Sequence, residues 1–160
     1  FRESVVPFVE GKYSTYAKST SKEDIAASRM HRAYGGFSMG SVSTWAVFEN
    51  CVDIVGYFMP MSGGHHWGTG NADAGALGRA VDKGLKKNEY FIMSATGTSD
   101  FAYSVLAQQI EDMKKQSQFE YTSDFSKGNF WFILANGGEH SWYYVRQYIY
   151  NCLPFFFRQS

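Results

Sequence analysis

The stretch AYGGFSMGSVSTW, residues 33–45, joins an apolar segment to a segment with helical spacing. It holds three glycines within six residues, although glycine is costly inside regular structure because it loses the most backbone freedom on folding. Residues 36–40 have the pattern G-x-S-x-G, which is typical of a nucleophile elbow, a sharp turn between a strand and a helix that exposes a serine. The alternative is a glycine-rich turn with an incidental serine, and the rest of the chain decides between the two.

Segments with the periodicity of strands and of helices alternate along the chain. Apolar and β-forming residues predict four strands, at residues 31–35, 54–61, 90–95 and 130–134. Helical spacing predicts five helices, at residues 4–10, 38–50, 76–87, 103–115 and 141–153. The alternation predicts an α/β fold with a mostly parallel sheet and helices on both faces. We expect residues 1–160 to belong to a single domain.

Two segments of this pattern are polar. Residues 11–29 are rich in Ser, Thr and Lys and predict a surface loop. Inside it, Thr20 and Glu23 have the spacing of a capping box, which predicts one turn of helix. The helix predicted at residues 76–87 is expected to be polar as well, because its apolar spacing is weak.

The composition argues against several classes of function. Lys and Arg together number 15, as do Asp and Glu, so the basic excess typical of a nucleic-acid-binding protein is missing. No apolar run approaches the roughly 20 residues of a membrane helix. We expect no signal peptide within the chain, since Phe1-Arg2-Glu3 does not start the required pattern. Cys51 and Cys152 are too few for a disulfide framework, and two buried free thiols are expected.

Chemically capable side chains follow the predicted strands. Ser38 comes after the first strand, Asp100 after the third and His140 after the fourth. In an open parallel sheet, ligands bind at the carboxyl ends of the strands. The order Ser, Asp, His along the chain is that of the catalytic triad of an α/β-hydrolase. The sequence therefore predicts Ser38 as nucleophile, His140 as general base and Asp100 as the carboxylate that orients the histidine.

The elbow predicts two further features of such a site. Gly36 and Gly40 are expected to leave room around the serine. The backbone amide of Met39, at the start of the following helix, is expected to face the oxyanion of a tetrahedral intermediate. None of these roles requires a cofactor.

Other residues compete for the roles of base and acid. His65 and His66 follow the second strand, where a triad base would be out of order, and we expect them to line the pocket or to be exposed. They have no third ligand at matching spacing, so no metal site is expected. His31 precedes the elbow and is expected to be structural. Asp124, in a polar segment, and Glu139, beside His140, are the alternatives to the predicted acid.

The glycine-rich segment 62–75 follows a strand end on the same rim as the elbow. We expect its Trp67 to pack near Ser38 and to help to shape a pocket for an acyl group, with His65 and His66 as further substrate-binding residues. A mobile surface loop is the alternative. Aromatic residues make up 18% of the chain, and Trp67 could instead stack on sugar rings. A carbohydrate-binding module without catalytic activity is therefore a second hypothesis for the function.

Four segments resemble a known family, and the resemblance extends over essentially the whole chain. They are HRAYGGFSMGSVSTW (31–45), MPMSG (59–63), ATGTSD (95–100) and NGGEHSW (136–142). They resemble the feruloyl esterases of the carbohydrate esterase group, which are often fused to bacterial xylanases. The resemblance implies an α/β-hydrolase fold and the hydrolysis, without a cofactor, of the ester that joins ferulic acid to arabinose on xylan. It also implies secretion and feruloylated arabinoxylan as the partner. An acetyl-xylan esterase, another short-acyl esterase or a thioesterase is the alternative within enzymes.

The resemblance is to the C-terminal part of these esterases, strands five to eight of an eight-stranded sheet. It therefore implies that strand 31–35 is an edge strand and that the loop which normally gives the second oxyanion donor is absent. It also places the helices that end at Cys51 and Cys152 on opposite faces of the sheet. Because layers stack about 10 Å from a sheet, we expect the two cysteines to lie too far apart for a disulfide.

Overall fold

The computed structural model describes residues 1–65, 73–82 and 84–157. Its strands form one sheet in the order β1-β2-β3-β4, and every neighbouring pair is parallel. The strands are β1 (Ala33–Phe37), β2 (Tyr57–Met61), β3 (Phe91–Gly97) and β4 (Phe130–Ala135). The helices are α1 (Val5–Lys12), α2 (Lys22–Ala27), α3 (Met39–Cys51), α4 (Ala74–Val81), α5 (Tyr103–Lys114) and α6 (Trp142–Cys152). Short 3₁₀ turns cover Arg29–His31, Lys87–Glu89 and Leu153–Phe155.

The predicted α/β class, with helices on both faces of a parallel sheet, is confirmed. Every residue of β2 and β3 is buried, as expected for parallel strands covered on both sides. One face packs against α3, α4 and α5, through buried side chains such as Trp45, Leu77 and Ile110. The other face packs against α6, through Val145 and Tyr148. None of the helices in the described ranges combines the length and the apolar character that crossing a membrane needs.

The two cysteines lie in the two separate cores. Cys51, the last residue of α3, belongs to the core on one face of the sheet, and Cys152, the last residue of α6, belongs to the core on the other. Both are buried free thiols, so the expectation that they are not bonded is confirmed. Burial raises the pKa of the Cys152 thiol well above its usual range, which keeps this sulfur in its unreactive protonated form.

The first strand lies two residues later than predicted. Residues 29–31 form a 3₁₀ turn, closed by a hydrogen bond from the amide of Arg32 to the carbonyl of Arg29, and the guanidinium of Arg29 turns inward and donates to the backbone carbonyl of Val52. β1 therefore begins at Ala33 and pairs with β2 alone. Within the described residues it is an edge strand, as expected from the resemblance, and its other side leaves backbone groups unpaired.

Two helices differ from the sequence prediction. In the segment 11–29, α2 begins one residue later than expected, because the hydroxyl of Ser21, not that of Thr20, accepts a hydrogen bond from the amide of Asp24 at 3.2 Å. The helix predicted as polar at 76–87 is α4, and it is mostly buried. Its buried residues are mainly small: Ala74, Ala76, Leu77, Gly78, Ala80 and Val81. Small side chains give little apolar signal in a sequence, yet they let α4 pack closely against its neighbours α3 and α5.

Candidate active site

Ser38 occupies the turn between β1 and α3 in a backbone conformation that residues other than glycine rarely adopt. Its φ and ψ are 58° and −116°, and such angles persist where the surrounding structure imposes them. The amide of Ser38 donates to the carbonyl of Met61 at 2.9 Å, which ties the turn to the end of β2. The pattern G-x-S-x-G thus forms a sharp strand-to-helix turn with the serine at its apex.

The room around this turn comes from Gly36. A Cβ at Gly36 would lie 2.5 Å from the carbonyl carbon and oxygen of Gly40, so a larger residue cannot be accommodated without a shift of the backbone. Among the described residues, a Cβ built on Gly40 would meet no atom within 4 Å, so the expectation that Gly40 also provides room was wrong there. The backbone of Gly40 lies close to Gly36, and this close approach requires glycine at position 36.

Met39 is the first residue of α3 and directly follows the serine. The first four amides of a helix have no partner within the helix, and they carry partial positive charge from the aligned peptide dipoles. The amide of Met39 is therefore placed to donate to an anion beside Ser38. Its side chain is 65% exposed and lies on the rim of the site.

Asp100 and His140 are brought together, although 40 residues separate them in the chain. Nδ1 of His140 lies 2.9 Å and 3.1 Å from the two carboxylate oxygens of Asp100. The Asp100 side chain is fully buried, and it also accepts a hydrogen bond from the amide of Ala102 at 2.8 Å. Because a carboxylate is an acceptor, the proton of the neutral imidazole lies on Nδ1 and the lone pair on Nε2.

A backbone-to-backbone contact holds these two loops together. A Cβ at Gly97 would lie 2.5 Å from the Cα of Gly138 and nearer still to its carbonyl oxygen. The amide of Ser99 donates to that carbonyl at 2.9 Å, and the hydroxyl of Thr98 accepts from the amide of Gly137 at 2.8 Å. The glycines in ATGTSD and NGGEHSW therefore set the distance between Asp100 and His140.

We expect Gly97→Ala to separate the two loops and to weaken the hydrogen bond between Asp100 and His140. The added methyl group has no space against the Gly138 backbone, so the loops must move or the fold must lose roughly 1–3 kcal/mol of stability. Any reaction catalysed by Asp100 and His140 is expected to fall by about tenfold or more, since small displacements in a catalytic site are costly. Thermal unfolding and turnover are measured on the same preparation.

The matched control is Gly40→Ala, at a position where no atom of the described residues lies within 4 Å of the new methyl group. It is expected to keep the unfolding temperature of the parent protein. The role given to the Gly97–Gly138 contact is wrong if Gly97→Ala matches the parent protein in both measurements.

His140 reaches the elbow through a ring contact. Its imidazole lies 4.4 Å, centroid to centroid, from the ring of Phe37, the residue just before Ser38. In the described structure no hydrogen bond joins Ser38 and His140, whose ring bonds to Asp100. Catalytic hydrogen bonds are often long in the absence of substrate and tighten in the complex. The structure thus places all three predicted residues at one edge of the sheet.

A cavity of about 230 Å³ opens beside the serine. Its walls are mainly apolar, and its described lining residues are Ser38, Met39, Val42, Ser62, Gly63 and Phe101. A larger cavity of about 450 Å³ lies among α1, α2 and the segment after α3. It contains none of the predicted site residues, so its size alone does not connect it to the predicted chemistry.

His65 is held between helices and does not line the cavity beside Ser38. It is 1% exposed, and its Nε2 lies 2.9 Å from a carboxylate oxygen of Glu49 on α3. Its amide donates to the side-chain oxygen of Gln109 on α5 at 2.7 Å. His66 and Trp67, the other predicted substrate-binding residues, lie outside the described residues.

The other residues considered for the roles of acid and base, Asp124, Glu139 and His31, do not take part in the Asp100–His140 pair. Asp124 accepts hydrogen bonds from the amide and hydroxyl of Ser126 and pairs with Lys127, and these contacts lower the pKa of its carboxyl to about 2. Glu139 is exposed. The ring of His31 stacks on that of Tyr16, with 3.8 Å between the centroids.

Sequence reasoning missed Phe37 and Phe101. Phe37 precedes Ser38, Phe101 follows Asp100, and both rings contact the imidazole of His140. The available signal was that each phenylalanine is the immediate sequence neighbour of a predicted catalytic residue.

The chain is 55% identical over 161 residues to endo-1,4-beta-xylanase Y of Acetivibrio thermocellus, and the match covers 99% of this chain and 15% of the xylanase. It is 54% identical to the feruloyl esterase module from Clostridium thermocellum, solved as a serine-to-alanine mutant complexed with sinapinate, with a TM-score of 0.94. This chain is homologous to part of a feruloyl esterase module. The resemblance seen in the sequence is thereby confirmed. The match covers 99% of this chain and 57% of the chain of the solved module.

More distant structures share the fold of this feruloyl esterase homologue. A ferulic acid esterase from the anaerobic fungus Anaeromyces mucronatus is 17% identical, with a TM-score of 0.61, over 98% of this chain and 52% of the fungal one. At this identity the likeness concerns the fold alone. No family model matches the chain.

Proposed function

We propose that this protein is a serine carboxylesterase that hydrolyses feruloyl and related hydroxycinnamoyl esters of arabinoxylan. The observation that carries the proposal is the pairing of buried Asp100 with His140 beside a serine in a strained elbow. A hydrogen-bonded carboxylate and imidazole next to a turn-exposed hydroxyl is the arrangement that activates a serine.

The hydrogen bonds of the imidazole support the proposed mechanism. Asp100 accepts the Nδ1 proton of His140, so Nε2 is free to remove the proton of Ser38 as its oxygen attacks the ester carbonyl. The Met39 amide stabilises the negative oxygen of the tetrahedral intermediate. His140 then returns the proton to the departing sugar oxygen, which leaves an acyl group on Ser38. Water, activated by the same imidazole, releases the acid and restores the serine. The mechanism requires no cofactor.

The aromatic acyl group is favoured by the relatives and by the cavity. The homologous module was solved with sinapinate, a hydroxycinnamate, and the homologous xylanase is named for the polymer that carries such esters. The cavity beside Ser38 includes the apolar side chains of Met39, Val42 and Phe101. We propose that this cavity receives part of the aromatic acyl group, with Trp67 and His66 predicted to contribute to its binding and His65, which does not line it, held away from it between the helices.

The setting of the activity follows from the same relatives. We propose that residues 1–160 form part of a single α/β-hydrolase catalytic domain, and that the protein acts outside the cell on feruloylated arabinoxylan or its oligosaccharides. We further propose that a xylanase or a carbohydrate-binding module accompanies it in the parent chain, as a xylanase does in the homologue.

A comparison of acyl groups tests the substrate. With the protein expressed at the full length that its gene encodes, we expect kcat/KM for methyl ferulate to exceed that for a methyl ester of acetic acid by about 100-fold or more, because an apolar pocket rewards the larger apolar acyl group. If kcat/KM for the acetic ester equals or exceeds kcat/KM for methyl ferulate, the protein is a short-acyl esterase. A carbohydrate-binding module without catalytic activity would hydrolyse neither ester and would not react with a fluorophosphonate probe.

A further inference from the structure

Two phenyl rings enclose the imidazole of His140. The ring of Phe101 lies 4.2 Å from it, centroid to centroid, with 35° between the planes. The ring of Phe37 lies 4.4 Å from it, with 33° between the planes. These angles are nearer to stacking than to an edge contact, so both phenyl rings turn largely their faces to the imidazole.

The two phenyl rings contact the imidazole in the manner of rings on different sides of it. Each ring is within 4.4 Å of His140, and within the described residues Phe37 and Phe101 do not form a ring pair with each other, as two rings on the same side would. Asp100 binds the imidazole edge at Nδ1. The phenyl rings thus cover the faces of the imidazole and Asp100 covers the edge at Nδ1, which leaves Nε2 on the remaining edge. Trp142, whose ring lies 5.3 Å from that of Phe37, supports the Phe37 side of this arrangement.

The proton transfers of the proposed mechanism turn this imidazole into a cation twice. In the first half-reaction the proton comes from Ser38 and goes to the departing sugar oxygen, and in the second it comes from water and returns to Ser38. A cation within about 6 Å of the centre of an aromatic face is attracted by the ring quadrupole, most strongly where water is excluded. Only one-fifth of the His140 side chain is exposed, so the attraction acts with little screening.

We propose that Phe37 and Phe101 are positioning residues that clamp His140 and stabilise its imidazolium form during ester hydrolysis. This proposal rests on the proposed function, because it needs His140 to act as the base. The clamp fixes the ring plane that the hydrogen bond to Asp100 alone leaves free to tilt. It also favours the protonated state that each transition state contains, and a group that acts in this way contributes to kcat more than to KM.

Phe101→Leu is the test variant, because Phe101 is 64% exposed and a leucine there keeps an apolar side chain without a ring. We expect kcat for methyl ferulate to fall by about 3- to 30-fold, with KM changed less than about twofold. Phe101→Tyr keeps the ring and is expected to retain at least half of the parent kcat. Phe8→Leu is the matched control, since Phe8 is also exposed and also has a cation, Lys12, near its ring, but lies on α1. We expect it to leave kcat unchanged.

The outcomes separate the clamp from the proposed function. A parent protein that hydrolyses methyl ferulate, with a Phe101→Leu variant of equal kcat, would overturn the clamp alone. A rise in KM at constant kcat would also overturn it and would leave Phe101 only its role as a wall of the cavity beside Ser38. A loss in Phe101→Tyr as large as in Phe101→Leu would show that shape, not the aromatic face, matters. A parent protein that neither hydrolyses the ester nor reacts with a fluorophosphonate would overturn the proposed function and the clamp together.

Discussion

Ser38→Ala is expected to lower kcat for methyl ferulate by about 10⁴-fold or more, and to abolish labelling by a fluorophosphonate probe. The reason is that the proposed acyl intermediate is bonded to the Ser38 oxygen, and alanine removes that atom while keeping the Cβ. The strained backbone of the elbow holds a residue with a Cβ already, at φ 58°, so the variant is expected to unfold at the temperature of the parent protein. Turnover, labelling and thermal unfolding are measured on the same preparation.

Ser43→Ala is the matched control for this substitution. Ser43 lies on α3, the helix that begins just after Ser38. It is exposed, and its hydroxyl donates a hydrogen bond to the carbonyl of Met39 at 3.0 Å. We expect this variant to keep both the turnover and the fluorophosphonate labelling of the parent protein. If Ser38→Ala keeps its turnover, another nucleophile operates and the assignment of the elbow is wrong.

The residues of the candidate site could be proposed from the sequence because each proposed role leaves a local mark in it. The elbow needs glycine where the backbone of the next turn approaches, and Gly36 meets that need. A parallel sheet brings strand ends to one edge, so polar residues just after strands are expected to converge there. Asp100 and His140 converge in this way. Glycine-rich turns and strand ends are properties of short segments, and a single sequence displays them.

The features that sequence reasoning missed depend on contacts between distant segments. The burial of α4 comes from the close approach of α3 and α5 to its small side chains, whereas the predicted range 76–87 ran past its end at Val81 into mostly exposed residues. The position of His65 depends on Glu49 and Gln109, on two different helices. The 3₁₀ turn before β1 carries Arg29, whose guanidinium contacts the carbonyl of Val52 in a distant segment. Likewise, the contact of Phe37 and Phe101 with one imidazole exists only once the two turns have met.

Asp100→Asn is expected to lower kcat for methyl ferulate by about 10³- to 10⁴-fold while leaving KM nearly unchanged. The buried Asp100 carboxylate accepts from both Nδ1 of His140 and the amide of Ala102. In asparagine one oxygen becomes an NH₂ group, which is a donor. With the remaining oxygen bound to the Ala102 amide, the NH₂ group faces Nδ1 and favours the tautomer with its proton on Nε2. The imidazole then has no lone pair toward Ser38, and it also loses the negative charge that stabilises its cation.

Two controls accompany Asp100→Asn: the kcat of Asp124→Asn, and a measurement that Asp100→Asn itself remains folded. Asp124 was the alternative acid in the sequence, but its hydrogen bonds go to Ser126 and Lys127, so we expect Asp124→Asn to keep the parent kcat. Asparagine is nearly the same size as aspartate and can keep the bond to Ala102, so Asp100→Asn is expected to remain folded. A large loss of kcat without a loss of fold can then be assigned to the tautomer and charge of His140. Turnover near the parent level in Asp100→Asn, with a loss in Asp124→Asn, would move the role of the acid to the segment before β4.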